Sequence, residues 1–319
     1  MKETPEVDRL IWLDGAFVPW RDATVHVLSH SLQRGSLVFD FMSIKQTPRG
    51  GAVFRLDRHL KRLLRSCSLM GLPMAYEEEV LAKAILETIR ANPGARNVKI
   101  SAFIPSIEVD VVPADPRVSV AIAAYDPALD IQSRLPGESR ARPSALRISL
   151  ERHTRQRRED IISPEAKVSA NYVSSMVAKA RALKAGFHEI LLLDEDGFVA
   201  EGPTSNVFVV DPEGTLRTPP ERRVLRGVTR ASVIELAEIM QIQVREEPIA
   251  PEELLLSAEI FMTGTSASIV PVESIDGRGI GQSCPGPVTQ RLRGTLLGIE
   301  NGEDTSFDHW LTYVEENRV

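Results

Sequence analysis

Leu60, Leu63, Leu64 and Cys67 recur at i, i+3, i+4 and i+7 within Asp57–Met70, the spacing that gathers apolar side chains on one helix face. Asp57 is placed to cap this helix and Gly71 to end it. The same spacing predicts a second helix over Tyr76–Arg90, through Val80, Leu81, Ala84, Ile85 and Ile89. A third covers Tyr172–Lys184, with Val173, Met176, Val177, Ala180 and Leu183 as its core face and Gly186 as its stop. Thr229 caps a fourth, Arg230–Gln241, built on Val233, Leu236, Ala237 and Met240. Val288–Leu297 and an aromatic tail helix near Trp310–Tyr313 supply the last two.

Between the helices lie short apolar, β-branched runs bounded by turn residues, which read as strands. Leu10–Leu13 and Ala16–Val18 form a hairpin across Asp14–Gly15. Strands are then predicted at Ala23–Val27, at Leu37–Ile44 after a polar turn around Gly35, and at Val53–Leu56, Asn97–Ile104 and Val118–Tyr125. A second series comprises Leu146–Leu150, Glu189–Asp194, Phe198–Glu201, Val207–Val210, Leu216–Thr218, Gln243–Arg245, Glu259–Met262 and Ile269–Val272. Residues 127–143, rich in Pro, Ser, Gly and Arg and without period, read as a linker. The chain therefore divides into a small domain over 1–126 and a larger one over 144–319, and its class is α+β.

Composition narrows the function. With 43% apolar and 26% charged residues, the 319-residue chain is ordinary globular protein, and its net charge of −6 argues against nucleic acid as its main partner. The eight arginines Arg134, Arg140, Arg142, Arg147, Arg152, Arg155, Arg157 and Arg158 could support a nucleic-acid module, but no aromatics are interleaved for stacking. They read better as a solvated linker or a basic rim that attracts carboxylates. Cys67 and Cys284 form no pairing motif, and the six histidines show no metal-binding spacing. The first residues are acidic and polar, and no apolar run reaches the ~18 residues that span a bilayer. The expectation is a cytoplasmic protein without a metal or a membrane partner.

Several residues could carry chemistry. Lys167 sits between an apolar loop and a helix start, where partial burial favours the uncharged amine that a nucleophile needs. Glu201 closes a strand before the small-residue loop G-P-T-S-N, and a carboxylate against a pyridine nitrogen keeps that nitrogen protonated. Two stretches suit an anion: R-G-V-T-R at Arg226–Arg230, before a helix N-terminus, and T-G-T-S-A-S at Thr263–Ser268. Arg62, on the polar side of its helix, could meet a phosphate with two hydrogen bonds. Read singly, each has an ordinary account: a surface lysine, an edge glutamate, two turns, a surface arginine.

As a set, these residues resemble the class IV (fold type IV) pyridoxal-phosphate aminotransferases. That family includes branched-chain and D-amino acid aminotransferases, (R)-selective amine transaminases and aminodeoxychorismate lyase. The resemblance runs from W-L-D-G-A-F-V-P-W near residue 12 to G-P-V-T-Q-R-L near residue 290 and is closest to the branched-chain subgroup. It implies two domains, the smaller α/β and the larger a pseudo-barrel, and a homodimer. A-K-V-S-A-N-Y implies Lys167 as the Schiff-base and proton-transfer lysine and Tyr172 as a cofactor contact. L-L-D-E-D-G-F-V-A-E-G-P-T-S-N implies Glu201 at the pyridine nitrogen and Asn206 in its structural loop. F-R-L-D-R-H-L-K-R-L implies Arg62 at the phosphate, together with Gly227, Val228, Thr229 and Thr265 of the two loops. The amides of Ser266 and Ala267 are implied at the substrate carboxylate.

The substrate side departs from the branched-chain pattern. Arg34 stands where those enzymes carry tyrosine, and Phe39 is kept. Phe41 and Ser43 replace a glycine and an arginine, and the strand at Val98–Ser101 lacks a tyrosine and an arginine. Arg34, Phe39 and Val98 are thus the candidate side-chain contacts, with Arg34 or an arginine of 134–158 open to an anionic group. The reaction implied is transfer of an amino group between an amino acid or amine and a 2-oxo acid, with pyridoxal 5′-phosphate as cofactor. A D-amino acid or (R)-amine transaminase is the alternative within the family, ahead of β-elimination; a cofactor carrier without turnover and a nucleic-acid module lie outside it.

Overall fold

The computed structural model describes residues 7–134, 143–155 and 158–315. In chain order the elements are β1 (Leu10–Leu13), β2 (Ala16–Pro19), α1 (His30–Arg34), β3 (Val38–Thr47), β4 (Gly50–Phe54), α2 (Leu56–Leu69), α3 (Glu78–Ala91), β5 (Asn97–Phe103) and β6 (Ser119–Tyr125). There follow β7 (Leu146–Arg155), α4 (Val173–Lys184), β8 (Glu189–Leu193), β9 (Asn206–Val210), β10 (Leu216–Thr218), α5 (Val228–Ile239) and β11 (Val244–Glu246). The last are β12 (Glu259–Gly264), β13 (Ser268–Ile275), β14 (Arg278–Gly279), α6 (Pro287–Glu300) and β15 (Leu311–Tyr313). The α+β class expected from the sequence holds.

Two compact units share these elements. The first holds residues 1–141, 167–170 and 299–319; the second holds 142–166 and 171–298. This differs from the expected 1–126, 127–143 and 144–319 in placing residues 167–170 and the C-terminal residues in the first unit. The predicted aromatic tail helix is a 3-10 turn, Thr305–Trp310, that leads into β15, and β15 pairs antiparallel with β4. Trp310 packs edge-on against Phe54 and lies under the Arg55 guanidinium, so an aromatic anchor fastens the tail to the first sheet. Residues 135–142 of the linker, Arg140 and Arg142 included, lie outside the described residues, as does Arg157.

The first unit is a seven-stranded antiparallel sheet in the order β15-β4-β3-β5-β6-β1-β2. Alternation sorts β3 and β5 onto two faces. Val38, Asp40 and Met42 are buried together with Val98, Ile100 and Ala102. Phe39 and Phe41 share the other face with Ser101 and Lys99. Leu60, Leu63 and Cys67 of the α2 stripe are buried as predicted, and Leu64 is half-buried. Arg55 in the left-handed region is its N-cap, so Asp57 lies in the first turn, where its charge still favours the helix N-terminus. Two expectations fail here. Residues 23–27 form no strand, and Val25 and Val27 are exposed. The polar turn before Gly35 is the short helix α1, which ends because Gly35 takes φ 70°.

The second unit is a mixed sheet in the order β11-β10-β9-β12-β13-β7-β8, with β14 beside β13. Its core joins Ile148, Leu191, Val207, Val209, Ile260, Met262 and Val272. The predicted core face of α4 is reversed: Val173, Met176, Val177 and Leu183 are exposed, and Ser175, Ala178 and Ala182 are buried. Small side chains allow the helix to approach Ile190 and Leu192 closely, which the longer ones would prevent. Residues 198–201 form bridges, Leu193 to Val199 and Glu201 to Asn206, and not a full strand. No helix among the described residues is long and apolar enough to cross a membrane.

Candidate active site

In the first unit the site starts from one charged residue in an apolar strand. Asp40 is fully buried on β3, on the face that α2 covers. Arg62, buried on α2, meets it at two points: Nε donates to Oδ2 and Nη2 donates to Oδ1, both at 2.8 Å. His59 Nδ1 lies 2.7 Å from Asp40 Oδ1. Burial alone would raise the Asp40 pKa, but the charge and hydrogen bonds of Arg62 and the hydrogen bond of His59 hold it well below the usual carboxylate range. Burial pushes the His59 pKa down against the pull of Asp40. The imidazole is therefore neutral, and its Nδ1–H donates to the carboxylate. Arg62 is thus a buried, paired residue and not a polar-face one.

The same helix fixes Lys167. Ser66 Oγ donates to the Arg62 carbonyl and accepts from the Lys167 amide at 3.1 Å. The Lys167 carbonyl accepts from Phe39 N at 3.0 Å, and Ser169 N donates to Leu37 O at 2.8 Å. The Lys167 backbone is therefore held on both sides, as an added strand edge beside β3. Gly35 makes that approach possible, since a Cβ there would lie 3.2 Å from Ala170 Cβ. The Lys167 amine, on a half-buried residue as expected, lies 4.9 Å from the centroid of the Phe39 ring. A second ammonium, Lys99, lies 4.7 Å from the same centroid.

Sequence reasoning missed Lys99 and chose its neighbour. Val98 is fully buried among the core residues, on the sheet face opposite Phe39, so it cannot line a pocket there. Arg34 ends α1 at the surface, where its Nη2 donates to the Val109 carbonyl at 2.9 Å. Among the basic residues of 134–158, Arg147, Arg152 and Arg158 pair with the surface carboxylates of Glu273, Asp276 and Asp160.

In the second unit Glu201 is 2% exposed, a carboxylate in the interior. Asn206 Nδ2 donates to its Oε2 at 2.9 Å and to the Leu225 carbonyl at 3.0 Å. The Leu225 amide approaches both carboxylate oxygens, at 3.3 and 3.2 Å. Gly227 follows, and a Cβ there would fall 1.9 Å from Asn206 Oδ1. Gly227, and not Thr229, is the N-cap of α5, and as a glycine it supplies no side-chain cap. Val228 and Thr229, both buried, form the first turn. The second loop is the tip of the β12–β13 hairpin. Thr263 and Ser268 flank it with buried hydroxyls that have no partner among the described residues. Thr265, Ser266 and Ala267 form the turn, and the Ala267 amide already donates to the Gly264 carbonyl at 3.1 Å. Tyr172 is half-buried at the start of α4. Glu165, which the sequence reading passed over, is buried and pairs with Arg226 at 3.1 Å.

Comparison with known proteins gives one consistent match. The family model described as amino-transferase class IV matches residues 37–275. The branched-chain-amino-acid aminotransferase of Pseudomonas aeruginosa is 32% identical over 309 residues, covering 97% of this chain and 98% of its own. The branched-chain aminotransferase of Thermoproteus uzoniensis, solved with norvaline, superposes with a TM-score of 0.87 at 34% identity, covering 96% of this chain and 99% of its own. The T.th. branched-chain amino acid aminotransferase, solved with N-(5′-phosphopyridoxyl)-L-glutamate, gives a TM-score of 0.87 at 34% identity, covering 97% of this chain and 100% of its own.

Proposed function

We propose that this chain, which belongs to the class IV aminotransferase family, transfers the amino group of an apolar amino acid to a 2-oxo acid with pyridoxal 5′-phosphate as cofactor. The observation that carries the reading is Lys167: a half-buried amine on a backbone pinned by Ser66 and Phe39. Similarity to branched-chain aminotransferases over nearly the whole chain supports the donor class.

The residues fit such a cofactor. A phosphate suits the N-terminus of α5, which its N-cap glycine leaves without a side-chain cap, and the hydroxyls of Thr263 and Ser268, unpartnered among the described residues. A protonated ring nitrogen suits the buried Glu201 carboxylate. Pyridoxal phosphate, when bound, supplies an electron sink for the carbanion formed at the donor's α-carbon. Lys167 Nζ would anchor the cofactor, take the α-proton from the donor and return it at the cofactor's C4′ carbon. Glu201, oriented by Asn206 and the Leu225 amide, would hold the ring proton in place. Arg62, Gly227, Val228, Thr229 and Thr265 would take the phosphate, and Tyr172 would pack on the ring. Asp40 would orient Arg62. The amides of Ser266 and Ala267, in the turn between β12 and β13, would meet the donor's carboxylate.

The reading extends to a homodimer in the cytoplasm. The exposed stripe Val173, Met176, Val177 and Leu183 on α4 is apolar surface of the kind that subunits cover. Cys67 and Cys284 are both free thiols, as a reducing compartment allows. The test is a half-reaction. The cofactor-loaded protein is mixed with L-leucine, D-leucine and (R)-1-phenylethylamine while the cofactor absorbance is followed, and borohydride is used to map the attachment site by mass spectrometry. Loss of absorbance with L-leucine and an adduct on Lys167 are expected. Response to the D- or (R)-donor alone overturns the donor class, and an adduct elsewhere overturns the role of Lys167.

A further inference from the structure

Four residues of the first unit stand in one row across four strands. Phe39 on β3 pairs with Ser101 on β5, Ser101 with Ala121 on β6, and Ala121 with Leu13 on β1. Directly paired residues project on one face of the sheet. The row therefore begins at the ring that carries the Lys167 amine. Its next two members, Ser101 and Ala121, are the smallest side chains in it. Over them opens a cavity of about 420 Å³. Leu13, Ser101, Ala121 and Phe103 line it from the sheet, and Leu32 of α1 and Val25 line it from above. Its walls are predominantly apolar, and its volume lies within the range of small-molecule sites.

We infer that this cavity is the side-chain subsite for the amino donor and that it takes an aryl side chain, with Ser101 and Ala121 as the specificity-determining residues. The inference rests on the transaminase reading above. A donor whose α-carbon is at Lys167 would extend its side chain past Phe39 and over Ser101. A short branched alkyl chain ends there and leaves part of the cavity without contacts, which forfeits dispersion energy. A ring reaches Ala121, meets the edge of Phe103, and buries a large area at low conformational cost. A bulkier residue at either small position would close the space.

The experiment pairs binding with turnover, on the cofactor-loaded full chain. Binding of 3-phenylpropanoate and 4-methylpentanoate, which lack the amino group, is measured by calorimetry. The ratio of kcat/KM for phenylalanine over leucine is measured in parallel. Ala121→Leu and Ser101→Val are compared with the parent, with circular dichroism and thermal melting as checks on folding. The parent is expected to bind the phenyl acid about fivefold or more tightly than the alkyl acid, because the ring buries more apolar area. Each variant is expected to lower both that preference and the donor ratio by roughly tenfold, the effect of overpacking a filled subsite. Equal binding of the two acids by the parent overturns the subsite, as does an unchanged ratio in both folded variants. A change of oligomeric mass in Ala121→Leu at constant ratio also overturns it and assigns the cavity to a second copy. A protein that binds the phenyl acid and transaminates no donor keeps the subsite and loses the transaminase reading. Turnover of leucine without a phenyl preference does the reverse.

Discussion

Asp40 and Arg62 form a two-point ion pair 22 positions apart in sequence, both hydrogen bonds 2.8 Å long and both residues buried. The pair ties a strand that carries Phe39 to a helix that carries Ser66, and those two residues hold the backbone of Lys167. Replacing Asp40 by Asn leaves the guanidinium buried without a counter-charge. Losing one partner of a buried pair costs about 3–5 kcal/mol. Asp40→Asn is therefore expected to lower the unfolding free energy by that amount in a denaturant titration and to weaken pyridoxal phosphate binding at least tenfold. A variant that melts early but binds the cofactor like the parent would make Asp40 structural only.

The same cluster sets a pH dependence. Asp40 has its folded pKa depressed, so its contribution is complete above the ordinary value of 3.8 and is lost as pH falls towards the folded value. His59 is also depressed, from 6.5, and the unfolded chain takes up its proton first. Stability should therefore begin to fall below about pH 6.5, and fall again below about pH 4. His59→Asn should remove the first decline and keep the second. A parent with constant stability between pH 6.5 and pH 4.5 would contradict the assignment of a neutral, buried His59.

The two cysteines offer a check on burial. Cys67 is 1% exposed, and burial pushes its thiol up to about 12. Cys284 is exposed, and although its own pKa is raised, by partial burial and by Glu273 and Glu259, reagents reach it. Iodoacetamide on the folded protein should label Cys284 alone, with Cys67 labelled only after denaturant is added. Peptide mass spectrometry reads this directly, and rapid labelling of Cys67 would show that α2 does not pack as described.

These relationships explain what the sequence could show. The helix α2 was legible because its leucines repeat with the helical period. The burial of Arg62 was not, because its cause is a carboxylate on another element. Asp40 did give a signal: it is a lone acid at a buried parity of an apolar strand. On β5 the alternation held the answer too, since Val98, Ile100 and Ala102 take one face and leave Lys99 and Ser101 to the other. On α4 the larger apolar residues pointed the wrong way, because closeness to the sheet rewards alanine there. The strand β15 is three residues long and has no period to read. The lysine, the glutamate and both anion loops were legible as motifs, and the bonds that orient them were not.

Gly227 gives the sharpest test of the Glu201 environment. A methyl group there would fall 1.9 Å from Asn206 Oδ1 and 3.1 Å from Arg230 Cβ. The Asn206 amide cannot give way freely, because its Nδ2 holds both Glu201 and the Leu225 carbonyl. Gly227→Ala should therefore lower stability by about 1–3 kcal/mol, the usual cost of overpacking. It should also lower kcat by displacing the partner of Glu201. Asn206→Ala removes the obstacle and the hydrogen bonds together. In that background Gly227→Ala should cost little more, because both changes act on one contact. A double-mutant cycle by denaturant unfolding and by kcat measures the coupling. Simple additivity of the two substitutions would mean that Gly227 does not act through Asn206.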